Sequence, residues 1–153
     1  MATIKRFEDL ICWQKSRTLT KEVYKNFRNC KDFGFKDQIQ RASVSIMSNI
    51  AEGFERGTKL ELLNYLYIAK GSAGEVRAQL YVALDAGYLN IETFKYLNEL
   101  ALGCSRLIES FAGKVKELAK SGTQFKRNAP TDPLEEITKQ SSPELYNKFY
   151  KNK

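Results

Sequence analysis

The stretch between Arg41 and Glu52 constrains the fold more than any other part of this 153-residue chain, because ten consecutive residues carry no charge. Half of them are small (Ala42, Ser43, Ser45, Ser48 and Ala51), and Val44, Ile46, Met47 and Ile50 lie among them. A helix on the surface of a soluble monomer normally keeps one polar, charged side. We therefore predict a helix that other helices cover on most sides, with small residues that let neighbouring backbones approach closely.

Apolar residues recur three and four positions apart in four segments, and this period predicts four helices. Their predicted ranges are about 7–29, 36–55, 58–85 and 90–120. The expected inward residues of the first two are Cys12, Ser16, Leu19, Val23, Phe27 and Cys30, then Ile39, Ser43, Ile46, Ile50 and Gly53. Those of the last two are Leu62, Leu66, Ala69, Ala73, Val76, Leu80 and Ala83, then Phe94, Leu97, Ala101, Cys104, Ile108, Phe111, Val115 and Leu118.

The connections between these segments are short, which favours antiparallel neighbours. We expect Gly34, Gly57 and Gly87 to end helices in the left-handed conformation, and Thr58 with Glu61 to form a capping box. Gly71 and Gly74 should make a notch that receives the small residues of helix 2. The predicted fold is all-α, an antiparallel up-down-up-down four-helix bundle over residues 1–120.

Residues 121–153 have a different character, since all three prolines of the chain (Pro130, Pro133 and Pro143) lie there. This composition predicts a basic, aromatic tail that is partly ordered and is not a fifth core helix. Its apolar cluster of Leu145, Tyr146, Phe149 and Tyr150 is expected to dock on some surface.

Several function classes find no support in the sequence. No apolar run approaches the roughly 18–20 residues that span a bilayer, and the N-terminal ten residues lack the apolar stretch of a signal peptide, so we expect a cytoplasmic protein without a membrane partner. Histidine is absent and the three cysteines are widely spaced. We therefore expect no metal site and no disulfide framework.

A catalytic role would need converging acids, bases or a nucleophile, and the nearest candidates are Glu52, Glu55 and Glu61. Two of them occupy helix-end positions, which favour capping or pairing with Arg56 and Lys59 over acid–base work. No phosphate-binding loop or nucleophile motif is present. We therefore predict a protein that is not an enzyme and uses no cofactor and no small-molecule substrate.

The net charge of +7 is unevenly distributed, since residues 1–41 hold ten Lys/Arg against five Asp/Glu while residues 42–120 hold nine of each. In helix 1, Arg17, Lys21, Lys25 and Arg28 recur at spacings of four, four and three, about 200° from the inward Leu19. Such a row suits a phosphate backbone. A solvated basic face without a partner is the alternative, because lysine-rich outer faces are ordinary.

Three blocks of sequence resemble the family of 23S rRNA intervening-sequence proteins and its relative, the accessory variability protein of diversity-generating retroelements. The first block is Phe7-Glu8-Asp9-Leu10 followed by Trp13-Gln14. The second consists of Gln38-Ile39, Arg41-Ala42, Ser45-Ile46 and the run from Ser48 to Gly53. The third is Ala69-Lys70-Gly71-Ser72 with Glu75. Met47 stands where the family usually has proline. Gln40 stands where a second arginine is common, which leaves Arg41 as the candidate phosphate contact in helix 2.

The resemblance implies a four-helix bundle that assembles as a homo-oligomer, a ring of five subunits. Apolar and aromatic residues beside the inward stripes independently favour association: Trp13, Tyr24, Val44, Met47, Tyr65, Tyr67 and Tyr81. One functional hypothesis is a non-catalytic protein that binds RNA or DNA. Helix 1 shows no evident aromatic residues for reading bases, so this binding should depend weakly on sequence and strongly on salt. The other is a protein-interaction scaffold, for which the resemblance would make a reverse transcriptase one partner.

Overall fold

The computed structural model describes residues 4–121, and within this range the chain is all-helical with no strand. A short 3₁₀ helix, η1 (Phe7–Asp9), precedes the α-helices α1 (Ile11–Phe27), α2 (Phe33–Glu55), α3 (Lys59–Asp85) and α4 (Ile91–Ser121). The chain divides into two units, Met1–Ala119 and Lys120–Lys153. Of the predicted tail, residues 121–153, Ser121 is the last residue of α4 and the remainder lies outside the described residues. Four helices without a strand are consistent with the predicted bundle.

The first helix begins later than predicted, because Leu10 adopts an extended conformation with ψ of 123°. Its side chain is buried, and its backbone N–H donates to the carbonyl of Phe7 at 3.0 Å. The Phe7 ring packs edge-on against Trp13 at 5.1 Å between centroids. Residues 7–9 thus turn back over the helix start, and a helix continuous from Phe7 was the wrong prediction.

The second helix begins earlier than predicted, at Phe33, because Asp32 caps it. The Asp32 carboxylate accepts a hydrogen bond from the backbone N–H of Phe35 at 3.0 Å. Gly34 consequently lies in the first turn of α2, and it is not among the residues of positive φ. The prediction that Gly34 ends helix 1 in a left-handed conformation was wrong.

The other connections agree with the sequence. Gly57 and Gly87 have φ of 78° and 76°, respectively. The Thr58 hydroxyl accepts from the Glu61 backbone N–H at 3.2 Å and donates to the Glu61 carboxylate at 2.8 Å. Asn90 caps α4 by accepting from the backbone N–H of Thr93 at 2.8 Å.

The core follows the predicted inward stripes closely. Leu19, Val23, Ile46, Leu66 and Leu97 are fully buried, as are most of the other inward residues. The exceptions are Leu62, which gives way to its buried neighbour Leu63, the half-buried Cys30 and Phe111, and Leu118, which is 56% exposed. At the level of Leu118 the α3 helix has only begun, and Lys59 reaches across to donate to the Leu118 carbonyl at 3.1 Å.

The uncharged stretch of α2 is covered as predicted, since Ser48 is its only exposed residue. Helix α2 packs against both α1 and α3. The Thr20 hydroxyl on α1 donates to the Ser43 carbonyl at 3.0 Å, and the hydroxyls of Ser45 and Ser72 are hydrogen-bonded at 2.9 Å between α2 and α3.

The close approach of α2 and α3 occurs at a different glycine from the one predicted. A Cβ added to Gly53 would lie 2.5 Å from the Tyr65 Cβ, whereas nothing lies within 4 Å of a Cβ at Gly71 or Gly74. Both of the latter glycines are exposed. They sit on the side of α3 away from its buried residues, so the predicted notch faces outward and does not receive α2.

Candidate nucleic-acid interface

The outward face of α1 holds the predicted basic row. Leu19 and Val23 are completely buried on the inner side of the helix. The row itself (Arg17, Lys21, Lys25 and Arg28, the last being the C-cap residue) is exposed at every position. The one carboxylate within α1, Glu22, is half-buried. The fully exposed charged residues of α1 are therefore all cationic.

These four cations keep their charges available to a ligand. Within residues 4–121, none of the four forms an ion pair. The Arg17 guanidinium lies 5.9 Å above the ring of the half-buried Trp13, an attraction between a cation and an aromatic face. This interaction orients Arg17 and leaves its net charge uncompensated.

Arg41, the fifth predicted residue, has a different environment. It is exposed on α2, not on α1, and its Nε lies 2.8 Å from an oxygen of Asp37 one turn earlier. A neighbouring carboxylate reduces the attraction of Arg41 for a phosphate. Among the five predicted residues, four therefore share one face of α1, whereas Arg41 lies on α2 and is paired with Asp37.

An aromatic residue also lies within the row, although the spacing of the cations alone did not indicate it. Tyr24 is 46% exposed and lies three residues after Lys21 and four before Arg28. Residues at these spacings are neighbours on one helix face. The spacing was the available signal, but a tyrosine at the edge of an apolar stripe does not show from sequence alone whether it is covered.

The carboxylates at the α2–α3 junction take structural positions. Arg56 donates to Glu52 at 2.9 Å and to the Tyr65 hydroxyl at 3.0 Å, and that hydroxyl donates to Glu52 at 3.0 Å. The hydrogen bond from Arg56, followed by that from Tyr65, holds the pKa of Glu52 below its usual range. A carboxylate oxygen of Glu61 lies 3.7 Å from a guanidinium nitrogen of Arg56. Lys59 donates to the carbonyl of Leu118 and forms no ion pair with these glutamates within residues 4–121.

The cysteines are free thiols with different exposure. Cys12 and Cys104 are buried and Cys30 is half-buried. Burial raises the pKa of Cys12 to about 11 and also raises that of Cys104, which disfavours the reactive thiolate. No group of three or more His, Cys, Asp or Glu residues suited to a metal ion occurs in the described part of the chain.

A second notable surface lies on the outer side of α3. Leu60, Tyr67, Ile68, Tyr81 and Val82 are each more than half exposed, and the open Gly71 and Gly74 lie between them. We call these seven residues the outer α3 face. Trp13 and Tyr65, which were also expected to favour association, are half-buried with partners in the same chain.

None of the helices within residues 4–121 is both long and apolar enough to span a lipid bilayer.

The described residues form four α-helices and no strand, and the fully exposed charged residues of α1 are all cationic. These features define an all-helical protein with a cationic surface on its first helix. Comparison with known families gives a more specific assignment. The chain belongs to the family of 23S rRNA-intervening sequence proteins, whose model matches residues 8–110.

A solved structure supports the fold. The chain is similar to a protein of unknown function from the S23 ribosomal protein family of Bacteroides thetaiotaomicron, at 24% identity and a TM-score of 0.63. The match covers 67% of this chain and 98% of the other. No curated protein matches the sequence. The relation to the retroelement accessory protein stays a prediction.

Proposed function

We propose that this protein is a non-catalytic nucleic-acid-binding accessory protein that acts as a homo-oligomer. The observation that carries this proposal is the exposed row of Arg17, Lys21, Lys25 and Arg28, which has no ion pair within the described residues and no exposed carboxylate on the same helix. Membership in a family named for 23S rRNA intervening sequences is consistent with an RNA ligand.

The spacing of the row suits a phosphate backbone. Successive cations are three or four residues apart, which places one charge about every 4.5–6 Å along the helix. A line of charges of this kind binds phosphates irrespective of sequence and releases counterions, so its affinity falls steeply with salt. Repetition of the row in an oligomer would add avidity to weak individual interactions.

The experiment replaces Arg17, Lys21, Lys25 and Arg28 with glutamine and measures RNA and DNA binding over a range of salt concentrations. We expect a sharp drop in affinity and a flatter plot of log affinity against log salt, by about 0.9 for each duplex phosphate that the protein no longer neutralises. Folding should be preserved, because surface changes of this kind usually alter stability by less than about 0.5 kcal/mol each.

The matched control removes the same amount of charge from another helix. Lys95, Arg106, Lys114 and Lys116 on α4 are also exposed and also form no ion pair within residues 4–121. Their replacement with glutamine should have a much smaller effect. Equal decreases in affinity for the two variants would show that net charge, and not the α1 row, governs binding, and a wild type without affinity at low salt would refute the proposal.

The proposed oligomer uses the outer α3 face, since exposed apolar patches of this kind mark surfaces that bind other proteins. We further propose the up-down-up-down arrangement within each protomer. Two interactions support it: Lys59 at the start of α3 reaches Leu118 near the end of α4, and Tyr81 near the end of α3 packs on Phe94 near the start of α4.

The same apolar face favours the second candidate function, a protein-interaction scaffold. In that case the outer α3 face receives a different protein, and a reverse transcriptase remains the partner that the resemblance to the retroelement protein suggests. Binding of nucleic acid only in the presence of such a partner would favour the scaffold. The number of five subunits likewise remains a prediction from the family resemblance.

A further inference from the structure

We propose that Tyr24 is a stacking platform for an unpaired base, so that the basic face of α1 takes single-stranded nucleic acid in preference to duplex. This inference rests on the proposed function and specifies its ligand class. Proteins that bind single strands commonly combine a cationic track for the phosphates with aromatic side chains on which bases stack. The α1 face provides both on one helix.

Tyr24 lies within the cationic row. In an α-helix, Lys21 is about 4.5 Å along the axis and about 60° around it from Tyr24, and Arg28 is about 6 Å and about 40° away. Arg17 lies on the same face two turns before Tyr24. A phosphate held by Lys21 or Arg28 would therefore place its attached nucleoside within reach of the tyrosine ring.

The ring of Tyr24 is unoccupied within the protomer. Tyr65 and Tyr88 donate hydrogen bonds to Glu52 and Asp32, and Tyr81 packs against Phe94 at 4.9 Å between ring centroids. Tyr24 has neither a hydrogen bond nor a ring partner in the described part of the molecule. Of the other two aromatic residues of α1, Trp13 is half-buried and contacts Phe7 and Arg17, and Phe27 is fully buried in the core.

Tyr96 on α4 provides a natural comparison. It is 49% exposed, nearly the same as the 46% of Tyr24, and it likewise has no ring or hydrogen-bond partner within residues 4–121. Its neighbours at four residues before and three after are Glu92 and Glu99, both exposed. At the positions three and four residues away, Tyr24 therefore has cations and Tyr96 has carboxylates, which makes Tyr24 the better placed of the two to meet a polyanion.

The ligand class follows from what a duplex can offer to such a ring. In a double helix the base faces are stacked on one another and are inaccessible to a side chain that stays outside the grooves. An unpaired segment exposes these faces and allows them to stack on aromatic rings. The cations would bind either form, but Tyr24 would contribute only to the unpaired one.

The test measures binding of the full-length protein to labelled oligouridine, oligothymidine, and RNA and DNA duplexes of the same length. We expect wild type to prefer the single strands. Tyr24→Ala should bind them about 5- to 150-fold more weakly, the usual effect of removing one stacking ring. Its duplex affinity and its salt slope should stay unchanged, because no cation is removed. The RNA and DNA arms show which sugar is preferred.

Three further variants define the role of the ring. Tyr24→Phe and Tyr24→Trp should retain single-strand affinity, whereas Tyr24→Leu, which keeps apolar bulk without a ring, should lose it. Tyr96→Ala should bind like wild type. Circular dichroism and sedimentation should give the same helix content and oligomer size for every variant.

Other results would overturn the inference. A Tyr24→Ala protein that binds single strands like wild type, or that loses affinity equally for duplex, excludes a stacking role. A changed oligomer size would identify Tyr24 as part of a subunit interface instead. If wild type binds neither form at low salt, the proposed function fails as well. If only the four-glutamine variant loses binding, the proposed function stands and the role of Tyr24 alone is rejected.

Discussion

Gly53 shows how one residue fixes the distance between two helices. Its missing side chain lets α2 approach α3 until the Tyr65 Cβ would be 2.5 Å from any added Cβ and the Leu62 Cα 3.4 Å. Tyr65 is held in this position by hydrogen bonds to Glu52 and Arg56. Glu52, Gly53, Arg56 and Tyr65 therefore act together to close the α2–α3 hairpin.

Gly53→Ala is expected to reduce the free energy of unfolding by about 1–3 kcal/mol, the usual cost of overpacking a tight interface. Gly113→Ala is the matched control, because nothing lies within 4 Å of a Cβ there, and alanine should stabilise the helix interior by up to about 1 kcal/mol. Urea denaturation of both variants measures the difference. Equal effects would contradict the close approach at Gly53.

The sequence identified Gly53 as inward but placed the tightest helix packing at Gly71 and Gly74. The period of the apolar residues determines which side of a helix faces the core, and it was sufficient for Gly53. It does not determine which element covers the opposite side. Gly71 and Gly74 lack side chains in the same way as Gly53, yet they face open space, and only the packed structure distinguishes the two cases.

At the scale of the elements, the caps account for most of the differences between the predicted and observed helices. The periodic core of each helix was predictable because burial imposes it. The starts of α1 and α2 were not, because they depend on Leu10 leaving the helical conformation and on Asp32 accepting two hydrogen bonds. One comes from Phe35 in its own turn, and the other comes from Tyr88 between α3 and α4, at 2.7 Å.

The Asp32 cap predicts a dependence on pH. The hydrogen bonds from the Phe35 backbone N–H and then from Tyr88 hold the pKa of Asp32 below its ordinary value. A lowered pKa in the folded state contributes stability above the unfolded pKa of about 4, and this contribution is lost as the pH falls through the folded pKa. Asp32→Asn should therefore be less stable than wild type at neutral pH, and the gap should narrow below about pH 4.

Urea denaturation at a series of pH values measures this gap. Glu99→Gln serves as the control, because Glu99 is exposed in the middle of α4 and has no hydrogen bond or ion pair within residues 4–121. A gap between wild type and Asp32→Asn that is the same at pH 3 and pH 7 would show that the carboxylate charge does not stabilise the cap.

At the scale of the whole molecule, the basic row was predictable and its aromatic member was not. Arg17, Lys21, Lys25 and Arg28 follow from a helical period opposite the buried Leu19. The partial neutralisation of Arg41 by Asp37 and the exposure of Tyr24 depend on side-chain packing. The sequence therefore indicates the direction in which a surface faces, whereas the structure determines which of its groups are available.

The outer α3 face carries the prediction about assembly. Gly71 and Gly74 lie between its exposed apolar residues, on a helix whose opposite side is already buried, so a second protein surface could pack closely on it. Ile68 and Val82 are 52% and 53% exposed in the protomer, and their replacement should not disturb its core. Two carboxylates in a desolvated subunit interface would, however, be strongly unfavourable.

Ile68→Glu with Val82→Glu should therefore convert an oligomeric wild type into a folded 17.5 kDa protomer in sedimentation at micromolar concentration. Ile91→Glu is the control, since Ile91 is 43% exposed in the first turn of α4, where a carboxylate is compatible with the helix dipole. A double variant that keeps the wild-type size would place the subunit interface elsewhere. A wild type that sediments as a 17.5 kDa monomer would remove the oligomer and leave the outer α3 face to a different partner.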